Sequence, residues 1–177
     1  PANLRRRKLV NKGFTPRRVR ESEHRIRLVC DSILDAVFER GEPDLVADVA
    51  APLPMIMIGD ALGVAPTDRN DLLRWSDDMV SALSGSTSTE EALMKAAMAF
   101  SEHEAYANGV IAQRRGCPGT QALMGILTDA EVDGDRRDDD ELVHESLLIL
   151  VGGDETTRHV ISGGWGQLIE HPDQQAR

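Results

Sequence analysis

The feature that most constrains this chain is one stretch, residues 138–171, that reads as a single uninterrupted helix. Acidic residues are massed at positions 138–141, where they face the positive end of the helix dipole. A helix of about 30 residues is about 45 Å long, enough to cross a whole domain. Its centre, residues 147–151, is apolar on every side, so the sequence predicts a helix that runs through the interior.

A glycine pair, Gly152 and Gly153, lies inside this helix, although each Gly costs about 1 kcal/mol relative to Ala. Without β-carbons, a flat ligand can approach the backbone closely there. A carboxylate and a hydroxyl, Glu155 and Thr156, follow within one turn and need partners if they are buried. On a helical wheel these residues share one broad face with Leu148, Val151 and His159. The alternative is a helix that packs on a neighbour through its glycines, with Glu155 reaching solvent.

The rest of the chain has helical rather than strand periodicity, and it contains no internal repeat. Thr15 and Pro16 are suited to begin a helix that Gly41 ends, and Gly63 ends a second one. The length, 177 residues, is that of one domain. We therefore predict an all-α fold, with further helices over about residues 4–14, 16–40, 44–51, 52–62, 67–83, 89–115 and 120–128.

Charge is unevenly distributed along the chain. Residues 1–27 carry ten Lys or Arg and two acids, a net charge of +8, whereas the remaining residues carry −18. A basic end on an acidic body indicates a site for an anion or an acidic partner, although a solvated helix face is the commoner explanation. Nucleic acid is a weaker option, because the acidic body repels phosphates and only 3% of residues are aromatic.

Several other classes of protein are disfavoured. Two cysteines make no disulfide framework, and no paired cysteines hold a zinc ion. A zinc helix beginning at His144 and Glu145 would need a second His where Leu148 stands, and Glu155 with His159 supplies too few ligands. No apolar run approaches the length of a membrane span, and the chain starts without a signal sequence. We expect a cytoplasmic protein, cut from a longer one.

The glycine-containing run, residues 147–157, resembles the oxygen-binding I helix of the cytochrome P450 monooxygenases, whose pattern is Ala/Gly-Gly-x-Asp/Glu-Thr-Thr. Three further segments resemble that family in the same order: residues 6–17 its C helix, 51–64 its E helix and 74–78 its F helix. Within the family, the chain resembles the actinobacterial steroid C26-monooxygenases that act on the cholesterol side chain. The resemblance implies that residues 1–177 form a partial cytochrome P450 domain, from the C helix to the start of the J helix. The N-terminal region and the C-terminal haem-ligand region would lie outside it.

The resemblance also assigns site residues. Thr156 would relay protons to iron-bound oxygen, with Glu155 as the acidic member of the relay. Gly152 and Gly153 would let the helix lie against the haem. A haem propionate would bind Arg7 and also Asn3, which stands where the family has a His and carries no charge. The substrate would contact Met79, Leu83, Leu148 and Val151.

The implied cofactor is haem b, whose iron ligand is a Cys thiolate. Cys117 lacks the Phe and Gly that precede the ligand in the family, so we expect the ligand outside this chain. The implied activity is the hydroxylation of a hydrophobic substrate, a steroid or cholesterol side chain, with O2. Electrons would come from a ferredoxin that docks on the basic N-terminal helix. The alternatives are a monooxygenase of another substrate class and a non-catalytic helical module that binds haem or lipid.

Overall fold

The chain is almost entirely helical, and the predicted all-α class is confirmed. The structure is a computed structural model, and it describes residues 7–8, 11, 13–83, 89–116, 123–129, 131–132, 135–136 and 138–175. The α-helices are α1 (Pro16–Arg40), α2 (Pro52–Leu62), α3 (Arg69–Leu83), α4 (Glu90–Gly116), α5 (Leu123–Asp129), α6 (Asp139–Glu170) and α7 (Pro172–Gln175). A π-helical turn covers Val46–Ala50, and a 3-10 turn covers Pro66–Asp68.

Capping residues set the helix bounds as the sequence predicts. The hydroxyl of Thr15 accepts a hydrogen bond from the Arg18 amide at 3.3 Å, which begins α1. The Asp138 carboxylate accepts one from the Glu141 amide at 2.7 Å and begins α6. Gly63 ends α2 in the left-handed conformation, at φ 77°, which Gly adopts without steric cost.

Two local features differ from the prediction. Residues 46–50 form a π-turn, closed by a bond from the Ala51 amide to the Val46 carbonyl at 2.9 Å. The strands β1 (Glu131–Val132) and β2 (Asp135–Arg136) pair antiparallel, with Glu131 opposite Arg136. The sequence does not reveal them, because two residues are too few for an alternating pattern to be detected.

The hydrophobic core lies where α6 crosses the other helices. α6 contacts α2, α3, α4 and α5, and α3 packs along α4. Trp75 of α3 joins these two helices, because its indole N–H donates to Glu102 of α4 at 2.7 Å. The fully buried core side chains include Leu72, Ile111, Met124, Leu127, Leu142 and Leu150.

Only one side of α6 is covered, which corrects the prediction that its centre runs through the interior. Leu142, Val143 and Leu150 are buried against the other helices. Leu148, in the same apolar centre, is 63% exposed. The described elements pack against one face of the helix and leave the opposite face open.

The part of the chain that the structure describes was compared with two further features, a membrane-spanning helix and a metal-binding cluster. None of its helices combines the length and the apolar content that crossing a bilayer requires. No group of three or more His, Cys, Asp or Glu side chains comes close enough together there to hold a metal ion.

Candidate functional site

The open face of α6 carries three of the predicted site residues in a row. Leu148, Gly152 and Thr156 follow one another at intervals of four residues, and all three are exposed. A β-carbon built on Gly152 meets no atom within 4 Å. The row therefore has an apolar end, a flat centre without a side chain and a hydroxyl end, which leaves space for a planar ligand.

The neighbouring Gly153 has a different environment. A β-carbon at this position would lie 2.8 Å from Cδ1 and 3.3 Å from Cγ1 of Ile58 on α2. A side chain at position 153 would therefore displace the end of Ile58, so Gly153 favours the close approach of α2 and α6. The alternative interpretation of the glycine pair, close packing on a neighbouring helix, describes Gly153 but not Gly152.

The Thr156 hydroxyl donates a hydrogen bond to the Gly152 carbonyl at 2.5 Å, one turn back along α6. Glu155 is 19% exposed and is turned toward α3. One of its carboxylate oxygens pairs with Arg158, and the other lies 3.0 Å from Nδ1 of His159. No hydrogen bond joins Glu155 to Thr156 in the described structure. The helical wheel predicts that Glu155 and Thr156 share one broad face of the helix. In the structure their side chains point in different directions.

The sequence analysis missed an ionic cluster beside Glu155. Arg158 Nη2 lies 2.7 Å from Oδ1 of Asp77 on α3 and 3.3 Å from Oδ2 of Asp154. Asp154 is completely buried, and burial raises the pKa of its carboxyl group, although Arg158 and the Ser76 hydroxyl act in the opposite direction. The available signal was its register, since Asp154 comes four residues after buried Leu150 on the covered face of α6.

An apolar groove adjoins the open face of α6. It lies between α1, α2 and α6 and has a volume of about 590 Å³. Gly152, Gly153 and Leu148 form part of its wall, so the groove and the row of exposed residues are continuous. Side chains that line it from the three helices include Val19, Ile26, Met57, Ile58 and Ile149.

The remaining predicted site residues are scattered. Val151 is half-buried on α6, and Met79 of α3 packs against the core. Leu83, at the end of α3, is 78% exposed. Arg7 is exposed, and Asn3 lies outside the described residues, as does Cys117.

Comparison with known proteins shows the family to which the chain belongs. No protein-family profile matches it. A steroid C26-monooxygenase of Mycobacterium tuberculosis is 53% identical over 174 residues, which are 98% of this chain and 46% of that protein. The crystal structure of a cytochrome P450 hydroxylase of Streptomyces atroolivaceus has a TM-score of 0.90 at 31% identity, covering 99% of this chain and 44% of that one. The chain belongs to the cytochrome P450 family.

A second P450 structure shows the same relation. A cytochrome P450 of Bacillus megaterium, solved in complex with testosterone, has a TM-score of 0.86 at 31% identity and covers 98% of this chain and 46% of that one. This P450 chain therefore spans less than half the length of the relatives it matches. The pattern that resembles the family's I helix lies on α6.

Proposed function

We propose that the full-length protein is a haem-dependent monooxygenase that hydroxylates a hydrophobic substrate, a steroid or cholesterol side chain. In it, residues 1–177 would extend from the C helix to the start of the J helix. The observation that carries the proposal is the exposed row Leu148, Gly152 and Thr156 on a helix with the family pattern. The names of its relatives favour the substrate class, since one is a steroid C26-monooxygenase and one was solved with testosterone.

The residues present on α6 fit a haem. The backbone at Gly152 is open, and a β-carbon there would meet nothing, as a planar group requires. Arg7 is exposed and is suited to bind a propionate through charge-assisted hydrogen bonds, with Asn3 as the second donor. When bound, the haem b supplies the oxidising chemistry that inserts one oxygen atom of O2 into a C–H bond. Its thiolate ligand would come from a part of the protein outside this chain.

Thr156 and Glu155 would handle protons on this face. Thr156 holds a proton on its hydroxyl at the open surface of α6, where it donates to Gly152. If a reacting group lies on that face, the hydroxyl can turn from the carbonyl and donate to it, because a hydroxyl rotates freely. Glu155, next in sequence, is the acid that resupplies the proton. Gly153 acts indirectly, by letting α6 lie close to α2.

Substrate and redox partner would use other surfaces. Leu148 and Val151 on α6, with Met79 and Leu83 on α3, offer apolar side chains to a hydrophobic substrate. The basic N-terminal segment would dock an acidic ferredoxin, which supplies the electrons. Arg20 of α1 is exposed and suited to this contact, whereas Arg17 and Arg27, also exposed, pair with Glu21 and Glu23 of the same helix.

The proposal is tested with Thr156→Ala in the full-length enzyme. We expect the product formed per electron pair to fall at least about tenfold while O2 consumption continues, because the proton donor is lost. Thr157→Ala is the matched control. It removes the same hydroxyl from the neighbouring threonine, which lines the apolar groove, and its coupling should stay close to the wild-type level. Unchanged coupling in Thr156→Ala would contradict the assignment.

A further inference from the structure

Helix α4 has a long solvent-facing side that carries no charge between residues 94 and 112. Its buried side is formed by residues that recur at intervals of four, namely Ala99, His103, Ala107 and Ile111. The residues on the opposite side of the helical wheel, called the outer face here, are all exposed: Met94, Ala97, Met98, Ser101, Ala105, Asn108, Gly109 and Ala112. Because 28% of the chain is charged, an uncharged side of this length differs from its ordinary surface.

The outer face has a bulky half and a flat half. Met94 and Met98, in the first half, are 62% and 61% exposed, although they are apolar. The second half carries small residues, and a β-carbon built on Gly109 meets no atom within 4 Å. Contiguous apolar side chains that stay in water commonly mark a contact surface for another molecule.

The order of these residues makes the face complementary to a second copy of itself. When two copies of α4 pack antiparallel about a two-fold axis, each residue faces one that lies equally far beyond the axis. With the axis between Ser101 and Ala105, Met94 faces Ala112 of the second copy, and Met98 faces its Gly109. The bulky half of each helix then packs on the flat half of the other, and the small residues at the centre let the two helices come close.

The two ends of the outer face are also complementary in charge. Glu90 begins α4 and Arg115 lies in its last turn, and both are exposed. In the antiparallel arrangement Glu90 of each copy lies opposite Arg115 of the other, which gives two identical ion pairs. Arg115 pairs with Asp139 at 2.5 Å in an exposed contact, and a guanidinium has further N–H donors to share. A parallel arrangement would bring like charges together, so the charges favour the antiparallel one.

We propose that the outer face of α4, with Glu90 and Arg115 at its ends, is the surface on which a second copy of this protein docks as an antiparallel two-fold dimer. A contact along one helix about 40 Å long is small for a protein interface, so we expect a weak dimer that forms at micromolar concentrations. The apolar groove stays accessible, because α1, α2 and α6 line it. The proposal does not depend on the proposed function, since it uses none of the residues assigned to haem or substrate.

A lipid surface fits this face less well than a second copy does. Glu102 and Glu104 border the outer face, and Glu102 is turned toward α3, where it accepts a hydrogen bond from Trp75. Acidic residues at the edge are repelled by anionic headgroups and costly to bury in lipid. At the edge of a protein contact they remain in water.

Sedimentation velocity of the full-length protein over a concentration series measures the dissociation constant of the dimer. Ala105→Lys places two like charges beside the axis and should raise this constant at least about tenfold. Gln113→Lys is the matched control, because it adds the same charge to α4 outside the outer face, and it should change the constant less than about twofold. Both positions are exposed, and thermal unfolding checks that both variants fold.

A charge exchange tests the antiparallel arrangement. Glu90→Arg or Arg115→Glu alone should raise the dissociation constant about three- to tenfold, because two exposed ion pairs become repulsions. The double variant Glu90→Arg with Arg115→Glu restores opposite charges across the contact. Its dissociation constant should return to within about threefold of wild type.

Three outcomes overturn the proposal: a full-length protein that stays monomeric at every concentration, equal dissociation constants for Ala105→Lys and Gln113→Lys, and a double variant as weak as the single ones. Flotation with phosphatidylcholine vesicles separates the lipid alternative. If the wild type binds these vesicles without forming a dimer and Ala105→Lys does not bind them, the outer face is a lipid contact and the dimer is wrong.

Discussion

Gly152 and Gly153 are neighbours whose substitution should have opposite effects. In Gly153→Ala the new β-carbon meets Ile58 at 2.8 Å, so we expect a loss of about 1–3 kcal/mol in unfolding free energy. In Gly152→Ala the β-carbon meets nothing, and the higher helix propensity of Ala adds up to about 1 kcal/mol. Chemical denaturation of the 177-residue chain measures both.

The same pair tests the haem face. If Gly152 lies against haem, Gly152→Leu in the full-length protein should lower the haem bound per protein, whereas Gly152→Ala should not, because the family pattern also has Ala at this position. Equal destabilisation by Gly152→Ala and Gly153→Ala would show that the packing at Ile58 is not what requires a glycine.

The buried His103 should make the stability of this chain depend on pH. It is 2% exposed, and burial lowers its pKa to about 4. Ser146 donates its hydroxyl hydrogen to the Val143 carbonyl at 2.8 Å, so His103 Nε2 is the donor to Ser146 at 3.3 Å. Nδ1 is left without a partner, and a proton there would be buried without an acceptor.

We therefore expect stability to fall as the pH drops from about 6.5 to about 4, because the unfolded chain binds this proton and the folded chain does not. The full loss is about 3 kcal/mol. His103→Phe keeps a ring beside Trp75 and should remove this slope. Unfolding free energies of the wild type and the variant, measured between these two pH values, test this prediction. If the variant loses as much stability as the wild type, His103 is not the cause of the pH dependence.

Helices α1, α2 and α3 are held together through one carboxylate. Asp60 of α2 accepts a hydrogen bond from Arg25 of α1 at 2.7 Å and pairs with Arg69, the first residue of α3. Arg69 also lies against Gly59, where an added β-carbon would be 3.2 Å from its Nε. This junction connects α1 to α2, two of the three helices that line the groove.

Asp60→Asn should therefore destabilise the chain by about 1 kcal/mol, because the partly buried Arg69 and the exposed Arg25 lose their shared counter-charge. Asp71→Asn is the control, since its pair with Arg74 is exposed on both sides and should change stability by less than about 0.5 kcal/mol. Denaturant unfolding compares the two. If Asp60→Asn and Asp71→Asn lower the unfolding free energy equally, Asp60 does not hold the three helices together.

At the scale of the whole molecule, the described part of the chain has a buried core on one side and an exposed apolar groove on another. The core between α3, α4, α5 and α6 is buried, whereas the groove between α1, α2 and α6 is apolar and open. Soluble proteins rarely expose a contiguous apolar surface of that kind. Because the chain spans less than half the length of its relatives, we expect the rest of the protein to cover the groove.

The isolated chain should accordingly bind a dye that reports exposed apolar surface, and the full-length protein should bind much less. Ile26→Lys, inside the groove, should weaken binding of the dye, whereas Phe38→Lys, at an exposed site outside it, should not. Dye fluorescence at equal protein concentration provides the comparison. Similar fluorescence from chain and full-length protein would contradict a covered groove.

The sequence by itself determined the features that depend on neighbours along the chain. Helix bounds followed from Thr15, Asp138 and Gly63, because caps act within one turn. The row Leu148, Gly152 and Thr156 followed from helical spacing. These are short-range effects, which do not depend on where the other helices lie.

Only the tertiary structure decided which side of α6 is covered and how its polar residues are paired. It separates Gly153, packed on Ile58, from Gly152, and it joins Glu155 through Arg158 to Asp77 on another helix. Such contacts form between residues far apart in sequence, so they depend on how the helices pack. The local sequence pattern predicts which residues belong to the site. The packing of α2 and α3 on α6 determines which way each of their side chains faces.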